Sequence, residues 1–362
     1  MRIDDYLKQM IEKGASDLYL KVGGLVYFRV DDNLIAASDI EMKASDLDQI
    51  VNTILTDEQK KHFELTKELD SAYSLAGVGR FRFNIYRQRN SIAMTFRAIK
   101  TDIPSFDELN LPRDVMMKLV SEKRGLILIT GHAGSGKSTT IASMIDYINS
   151  NFQKHIITIE DPVEFMHSDK KSVISQREIG SDTMGFESAL RHVIRQSPDI
   201  IVIGEMRDAA TMQTAIMAAE TGHLVLSTLH TIDATQTVDR IINFFPPYIH
   251  DQIRMQLGLL LKGVVSMRLI PRADKKGRIP ACEVMLATPT VKKFISENKT
   301  EQLVSIIEEG ELFGMQTFNQ ALTKWLDKSI IDKESALLFA SNADELELKL
   351  KDILPGSGNH HG

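Results

Sequence analysis

Several features are scarce in this sequence, and each shortage excludes a class of protein. Cys282 is the only cysteine among 362 residues, which excludes a disulfide framework and a cysteine-rich zinc site. No stretch approaches the roughly 18 consecutive apolar residues of a membrane span, and no apolar signal segment opens the chain. Because a single cysteine is typical of a reducing compartment, we expect a cytoplasmic protein that reaches a membrane only through a partner.

Positive charge is also scarce. The chain has 43 basic against 49 acidic residues, a net charge of −6, which argues against broad nonspecific binding to nucleic acid, although a local basic patch stays open. The hydrophobic and charged fractions, 43% and 25%, are those of an ordinary globular protein with enough residues for two or three domains.

The most informative stretch runs from residue 125 to residue 140. A short apolar run, Leu126–Ile129, predicts a buried strand, and apolar side chains at helical spacing from Ile141 onward predict a helix. Between them lies a glycine-rich loop that fits the pattern G-x-x-x-x-G-K-[ST]. The residues of the loop and its exit are Gly131, His132, Ala133, Gly134, Ser135, Gly136, Lys137, Ser138 and Thr139.

A strand, a glycine-rich loop and a helix in this order predict a nucleoside triphosphate site. Glycines let several backbone N–H groups surround a phosphate, and the N-terminus of the helix adds a favourable dipole. We expect these residues to contact ATP, with Lys137 bridging the β- and γ-phosphates and Ser138 holding Mg²⁺.

Two later apolar runs end in carboxylates. Residues 155–160 predict a buried strand, and Glu164 follows just after it. A carboxylate at this point can orient the water that attacks the γ-phosphate. The alternative role for Glu164 is a structural salt bridge. Residues 199–203 predict another strand, followed by Gly204 and Glu205 in a segment that resembles a Walker B motif. We expect Glu205 to act on Mg²⁺ or on its waters, and Asp208 to cap the following helix.

A fourth apolar run is bracketed by two histidines, His223 and His230. We expect His230 to sense the γ-phosphate or to contact a neighbouring subunit, and we give His223 the same interpretation with less weight. An ordinary structural role is the alternative for both.

Residues 79–98 predict a hairpin of two strands with period-two alternation. Phe81 and Phe83 share one face of the first strand, and arginines share the other face. That face is either an ordinary solvated surface or a source of arginine fingers for a phosphate that a neighbouring subunit holds.

The organisation of the chain follows from these segments. We predict an α+β N-terminal domain over residues 1–100, a linker over 101–112, an α/β P-loop domain over 113–285, a helical region over 286–352 and a flexible tail over 353–362. Long helices are expected over residues 288–307 and 318–350.

Four motifs in this order resemble those of the secretion-type hexameric ATPases. They are the P-loop, the Ile-Glu-Asp-Pro-Val-Glu box, the Gly-Glu segment and the Thr-Gly-His…Thr-Leu-His box. Within that superfamily the chain resembles the type IV pilus retraction ATPases of the PilT/PilU kind, supported by residues 14–18, 79–82 and 314–317. Assembly-type relatives usually carry a four-cysteine zinc module, which a single cysteine argues against.

The resemblance implies a PAS-like domain joined to a RecA-like ATPase domain, closed into a homohexamer that uses ATP and Mg²⁺. It implies an inner-membrane pilus platform protein as partner, a paralogous retraction ATPase as a further candidate partner, and no nucleic acid. The site residues that it implies are Glu164 and Glu205 as catalytic carboxylates, Ser138 and Glu205 at the metal, Arg82 and Arg97 as fingers acting in trans, His230 as a catalytic histidine and His223 at the nucleotide.

Paired prolines that are common in the family are absent near Gly23-Gly24, and two further segments depart from the family pattern. His132-Ala133 replaces the usual Pro-Thr in the loop, and residues 289–296 match the family's retraction signature poorly. The departure at residues 289–296 fits an accessory retraction ATPase or a motor for a divergent pilus system. The alternatives are an assembly or secretion ATPase of the same superfamily, or a weakly catalytic nucleotide-binding subunit that modulates another motor.

Overall fold

The computed structural model describes residues 2–353, and the chain divides into two compact units. The first unit runs to Asp102 and also includes Glu164–Met166. The second comprises Ile103–Val163 and the chain from His167 onward. Met1 and residues 354–362, which hold all but one residue of the predicted tail, lie outside the described residues.

The first unit is an antiparallel sheet with helices packed against it. Its elements are α1 (Ile3–Glu12), β1 (Asp17–Lys21), β2 (Tyr27–Val30), β3 (Asn33–Ala36), α2 (Ala44–Ile54), α3 (Asp57–Thr66), β4 (Glu68–Leu75), β5 (Gly79–Gln88) and β6 (Ser91–Ala98). The strands lie in the order β3-β2-β1-β6-β5-β4, and each pair of neighbours is antiparallel.

The hairpin predicted for residues 79–98 is confirmed as β5 and β6, and its apolar face forms the core of this unit. Phe81, Phe83 and Phe96 are at most 1% exposed, and the rings of Phe83 and Phe96 lie 5.6 Å apart. Arg82 and Arg97 are directly opposite each other across the two strands. The alternation therefore separates aromatic side chains from guanidinium groups, as expected for a sheet with one buried face.

The second unit is a mixed α/β structure around a mostly parallel sheet. Its elements are α4 (Arg113–Val120), β7 (Gly125–Thr130), α5 (Lys137–Asn151), β8 (His155–Glu160), β9 (Val173–Glu178), α6 (Phe186–Val193), β10 (Ile200–Ile203), α7 (Ala209–Glu220), β11 (Leu224–Leu229), α8 (Ala234–Ile242), α9 (His250–Leu260), β12 (Leu261–Pro271), β13 (Arg278–Leu286), α10 (Pro289–Ser296), α11 (Leu303–Glu309), α12 (Phe318–Asp327), α13 (Lys333–Phe339) and α14 (Ala343–Ile353).

The sheet of the second unit has the order β13-β12-β7-β11-β10-β8-β9, and its neighbours are parallel except β12 and β13. Every residue of β7, β10 and β11 is buried, which is typical of parallel strands covered on both faces. Because these three strands are adjacent and parallel, the loops that follow them leave the sheet at one edge. β9, β12 and β13 have no counterpart in the sequence-based prediction.

The long helices predicted near the C-terminus are wrong in extent, because the chain forms the shorter helices α10 to α14 there. Asn298 and Ser329 adopt left-handed φ values of 57° and 54°, and a right-handed helix does not continue through such residues. Thr317 and Asp332 then cap new helices. None of the helices within residues 2–353 combines the length and apolarity that crossing a bilayer requires.

Candidate active site

The glycine-rich loop after β7 takes a shape that requires glycine. Gly131, Gly134 and Gly136 have φ values of 143°, 75° and 97°. A Cβ atom on Gly131 would lie 2.5 Å from both the carbonyl oxygen of Met267 and the Oγ of Ser135. Gly136 is the N-cap of α5, so the loop closes at the free N–H groups of a helix N-terminus, which attract an anion.

Two polar side chains in this loop are buried. The Nζ of Lys137 donates hydrogen bonds to the carbonyl oxygens of Gly131 and His132 at 2.8 and 2.9 Å. The hydroxyl of Ser135 has no hydrogen-bond partner among the described residues. A buried hydroxyl without a partner costs free energy until another group bonds to it, and a phosphate oxygen is such a group.

The other residues predicted to contact the nucleotide lie at the surface of the loop and on the first turn of α5. His132, Ala133 and Ser138 are exposed, and Thr139 is half-buried. The structure therefore brings the whole predicted loop together between β7 and the first turn of α5. His132 takes part in the loop through its backbone, because its carbonyl oxygen accepts hydrogen bonds from the N–H of Ser135 and from the Nζ of Lys137.

Glu205 lies just after β10, at the same edge of the sheet as the loop. β11 separates β10 from β7. Thr228 in β11 donates a hydrogen bond from Oγ1 to the carbonyl oxygen of Gly204 at 2.7 Å, and this bond fixes the backbone just before Glu205. A Cβ on Gly204 would lie 3.3 Å from the carbonyl oxygen of Ile159, so the strand ends are closely packed here.

The Glu205 carboxylate contacts two cationic or potentially cationic groups. The Nε2 of His230 lies 3.4 Å from one carboxylate oxygen, and the guanidinium of Arg207 pairs with the other. The hydrogen bond to Glu205 raises the pKa of Arg207, which therefore stays charged. Glu205 is 17% exposed, whereas its partners are 54% and 66% exposed. Arg207 is a site residue that sequence spacing could not distinguish from the other arginines of this unit.

His223 lies at the opposite edge of the sheet, before β11. Its backbone carbonyl accepts a hydrogen bond from Gly125 at the start of β7, and its Nδ1 lies 2.9 Å from the carbonyl oxygen of Ala218 near the end of α7. A strand of this length separates it from the loop by about 20 Å. The ring of His223 therefore contacts the C-terminal end of α7 in this structure, and its predicted contact with the nucleotide stays a prediction.

The acidic box after β8 places its two glutamates differently. Glu164 is exposed and belongs to the first unit, and its catalytic role stays a prediction. Glu160 ends β8 and accepts hydrogen bonds from Thr158 at 2.6 Å and from Gln176 at 3.1 Å. Sequence reasoning did not single out Glu160, although the last residue of a strand at this edge is a recognisable signal.

The two arginines predicted to act in trans lie on the exposed face of the first unit's sheet. Arg82 pairs with Asp70 at 3.7 Å, and the Nε of Arg97 donates to the buried Asp17 at 2.8 Å. Two like charges directly opposite each other are unfavourable, and each is compensated by a carboxylate, although Asp17 also pairs with Arg29 at 3.7 Å. Whether they act on a neighbouring subunit stays a prediction.

A preformed metal site is absent from the described part of the chain, which holds no group of three or more His, Cys, Asp or Glu side chains arranged for a metal. Ser138 and Glu205 are the predicted oxygen donors near the loop.

Known proteins resemble this chain over most of its length. Residues 1–305 match the family described as Type II/IV secretion system protein. The chain is 40% identical over 351 residues to the type IV pilus ATPase PilU of Pseudomonas aeruginosa, covering 97% of this chain and 92% of that protein. It is also 40% identical over 336 residues to the pilus retraction ATPase PilT of the same organism, covering 93% and 97%. A crystal structure of the pilus retraction motor PilT with bound ADP has a TM-score of 0.88 and 41% identity, covering 96% of this chain and 99% of that one.

Proposed function

The chain belongs to the type II/IV secretion system protein family, and we propose that it is an ATP-hydrolysing hexameric motor that powers retraction of type IV pili. Its relatives at 40% identity are pilus ATPases, and a similar protein of solved structure holds ADP. The observation that carries the proposal is the loop with the buried Lys137 and the unpartnered Ser135 hydroxyl, at the sheet edge that also holds Glu205.

The residues of the second unit would act mainly through charge and position. Backbone N–H groups of the loop and the N-terminus of α5 would bind the phosphates, and Lys137 would leave its carbonyl partners to bridge the β- and γ-phosphates. Ser138 and Glu205 would hold Mg²⁺, which when bound neutralises the charge that develops on the phosphates. His230, beside Glu205, would respond to the γ-phosphate.

The remaining roles come from the family resemblance. Glu164 would orient the water that attacks the γ-phosphate, and Arg82 and Arg97 would stabilise the developing charge on a nucleotide held by the next subunit. The role of Arg82 and Arg97 in the next subunit requires a hexameric ring. The resemblance also assigns a PAS-like N-terminal domain and a RecA-like P-loop domain to each subunit.

The cellular role follows from the same relatives. The motor would work in the cytoplasm on an inner-membrane platform protein, either alone or with a paralogous retraction ATPase. Residues 289–296 form α10 and depart from the family's retraction signature. This departure favours an accessory retraction motor over the principal retraction motor.

Turnover per subunit measured against protein concentration, with Mg²⁺ present, tests the motor. We expect a steep rise, because the site would be completed across subunits. A mass measurement separates a self-contained site from a ring that is already assembled at every concentration.

Lys137→Ala should lose both binding and hydrolysis, whereas Glu205→Gln should keep ATP binding and lose hydrolysis. Intact binding with negligible turnover of the wild type would instead favour the weakly catalytic subunit.

A deletion strain tests the direction of movement. Retraction predicts that pili persist or accumulate while twitching is lost, and that Lys137→Ala fails to restore twitching. A strain without pili would instead identify an assembly ATPase. Hydrolysis stimulated by DNA would contradict both pilus functions.

A further inference from the structure

A buried carboxylate on β13 has no part in the roles described above. Glu283 is 5% exposed and lies in a strand whose other residues after Arg278 are all buried. Its Oε1 accepts a hydrogen bond from the backbone N–H of Ala234 at 2.8 Å. A carboxylate in a buried strand is costly unless its charge or its hydrogen bonds are needed.

The partner of Glu283 is the first residue of α8, four residues after His230. The segment between them is held at several points. The Oγ1 of Thr237 lies 2.7 Å from the Oγ1 of Thr231 and donates to the carbonyl oxygen of Asp233 at 2.6 Å. The turn that carries His230 is therefore tied to the N-terminus of α8, where a carboxylate also interacts favourably with the helix dipole.

Arg268 on β12 is the positively charged group that acts on the pKa of Glu283, because its charge attracts the carboxylate. The guanidinium of Arg268 lies 3.8 Å from the centre of the Phe318 ring and donates to the carbonyl oxygen of Phe339 at 2.5 Å. Phe318 begins α12 and Phe339 ends α13. Arg268 therefore contacts the C-terminal helices directly and acts on Glu283 through its charge.

We propose that Glu283 is a positioning residue for ATP hydrolysis: it fixes the N-terminus of α8 and thereby holds His230 beside Glu205. The proposal rests on the proposed ATPase function. It also gives the C-terminal helices an electrostatic connection to the nucleotide site, because Arg268 binds their backbone and their aromatic surface and also attracts Glu283.

The charge state of Glu283 gives this role a pH signature. Burial raises the pKa of Glu283 to about 7. The charged groups that act on it are Arg268 from β12 and Asp233 from the turn before α8. Above this pKa the carboxylate is ionised and accepts a stronger hydrogen bond from Ala234 than the neutral acid does. Its contribution to turnover should therefore increase from pH 6 to pH 8.

Glu283→Ala, Glu283→Gln and Thr300→Val test the proposal together. Thr300 donates a hydrogen bond to Asp239 in the middle of α8 at 2.9 Å, so Thr300→Val weakens the same helix without touching its N-terminus. We expect Glu283→Ala to lower kcat about tenfold or more with ATP affinity within about twofold of wild type, and Thr300→Val to leave kcat unchanged. The amide of Glu283→Gln still accepts the bond from Ala234, so it should keep most of the activity but lose the rise between pH 6 and pH 8.

Three results would overturn the proposal: a wild-type kcat in Glu283→Ala, an equal loss in Thr300→Val, or the full pH-dependent rise in Glu283→Gln. If Glu283→Ala does not fold, the pH profile of Glu283→Gln against wild type decides alone, because every other titratable group is shared. If the wild type has no turnover, the proposed function fails instead. Amide hydrogen exchange then tests the positioning claim, since the peptide spanning His230–Thr237 should exchange faster in Glu283→Gln at pH 8 but not in Thr300→Val.

Discussion

His167 should make the second unit sensitive to acid, and replacing it with methionine should remove that sensitivity. Burial lowers the pKa of His167 to about 4, with a smaller opposing effect from Asp146. Its Nδ1 is buried and has no hydrogen-bond partner among the described residues. The imidazole is therefore neutral in the folded protein at neutral pH, and when the pH falls it becomes charged with only the weaker attraction of Asp146 to offset the cost of burial.

The magnitude follows from the two pKa values. In the unfolded chain this histidine has the ordinary pKa of about 6.5. Between that pH and about 4 the unfolded state binds a proton that the folded state does not bind. The free energy of unfolding therefore falls as the pH falls. The contribution of neutral His167 to the free energy of unfolding is fully present above pH 7. About 1.4 kcal/mol of it is lost at pH 5.5 and about 2.5 kcal/mol at pH 4.5, and the loss levels off below the folded pKa.

Urea denaturation of wild type and His167→Met at pH 7.5, 5.5 and 4.5 measures this difference. Trp325 is the only tryptophan and lies in the second unit with His167, so its fluorescence follows the relevant transition. Methionine has a similar volume, cannot titrate and adapts its shape to the site. The free energy of unfolding of the variant should fall less than that of wild type by the amounts above. Parallel curves for the two proteins would refute the reasoning, because the shared carboxylates would then account for all of the acid sensitivity.

Three other variants or measurements test other parts of the structure. Gly131→Ala should weaken nucleotide binding at least about tenfold because its Cβ has no space, whereas Gly134→Ala meets no atom within 4 Å and should cost less; equal losses in a fluorescent-nucleotide titration would contradict this. Asp208→Ala removes the cap that accepts the N–H of Thr211 and should lower the free energy of unfolding by about 1 kcal/mol, while Asp208→Asn should restore most of it. Burial raises the pKa of Cys282 to about 12, so its thiol should react with a disulfide reagent only when the protein opens, and rapid labelling under native conditions would show that the thiol is accessible.

The sequence alone determined the features that depend on short-range chemistry. Glycines and Lys137 at fixed spacing predicted the phosphate loop, since the backbone shape needed there has few other solutions. Alternation over residues 79–98 separated the aromatic core from the arginine face, because strand geometry has a period of two. The capping role of Asp208 was likewise local, because its carboxylate reaches the N–H group three residues away.

Only the tertiary structure decided which of these segments meet. Both His223 and His230 flank one apolar run, but a strand carries its two ends to opposite edges of the sheet, so only His230 reaches Glu205. Glu283 lies in a run that reads as ordinary core, and its contact with Ala234 spans 49 positions of the chain. β12 and β13 are adjacent, antiparallel strands of the second unit's sheet. Whether such segments form strands depends on burial against their neighbours more than on local preference. Contacts between residues far apart in the chain follow from packing, which no local pattern encodes.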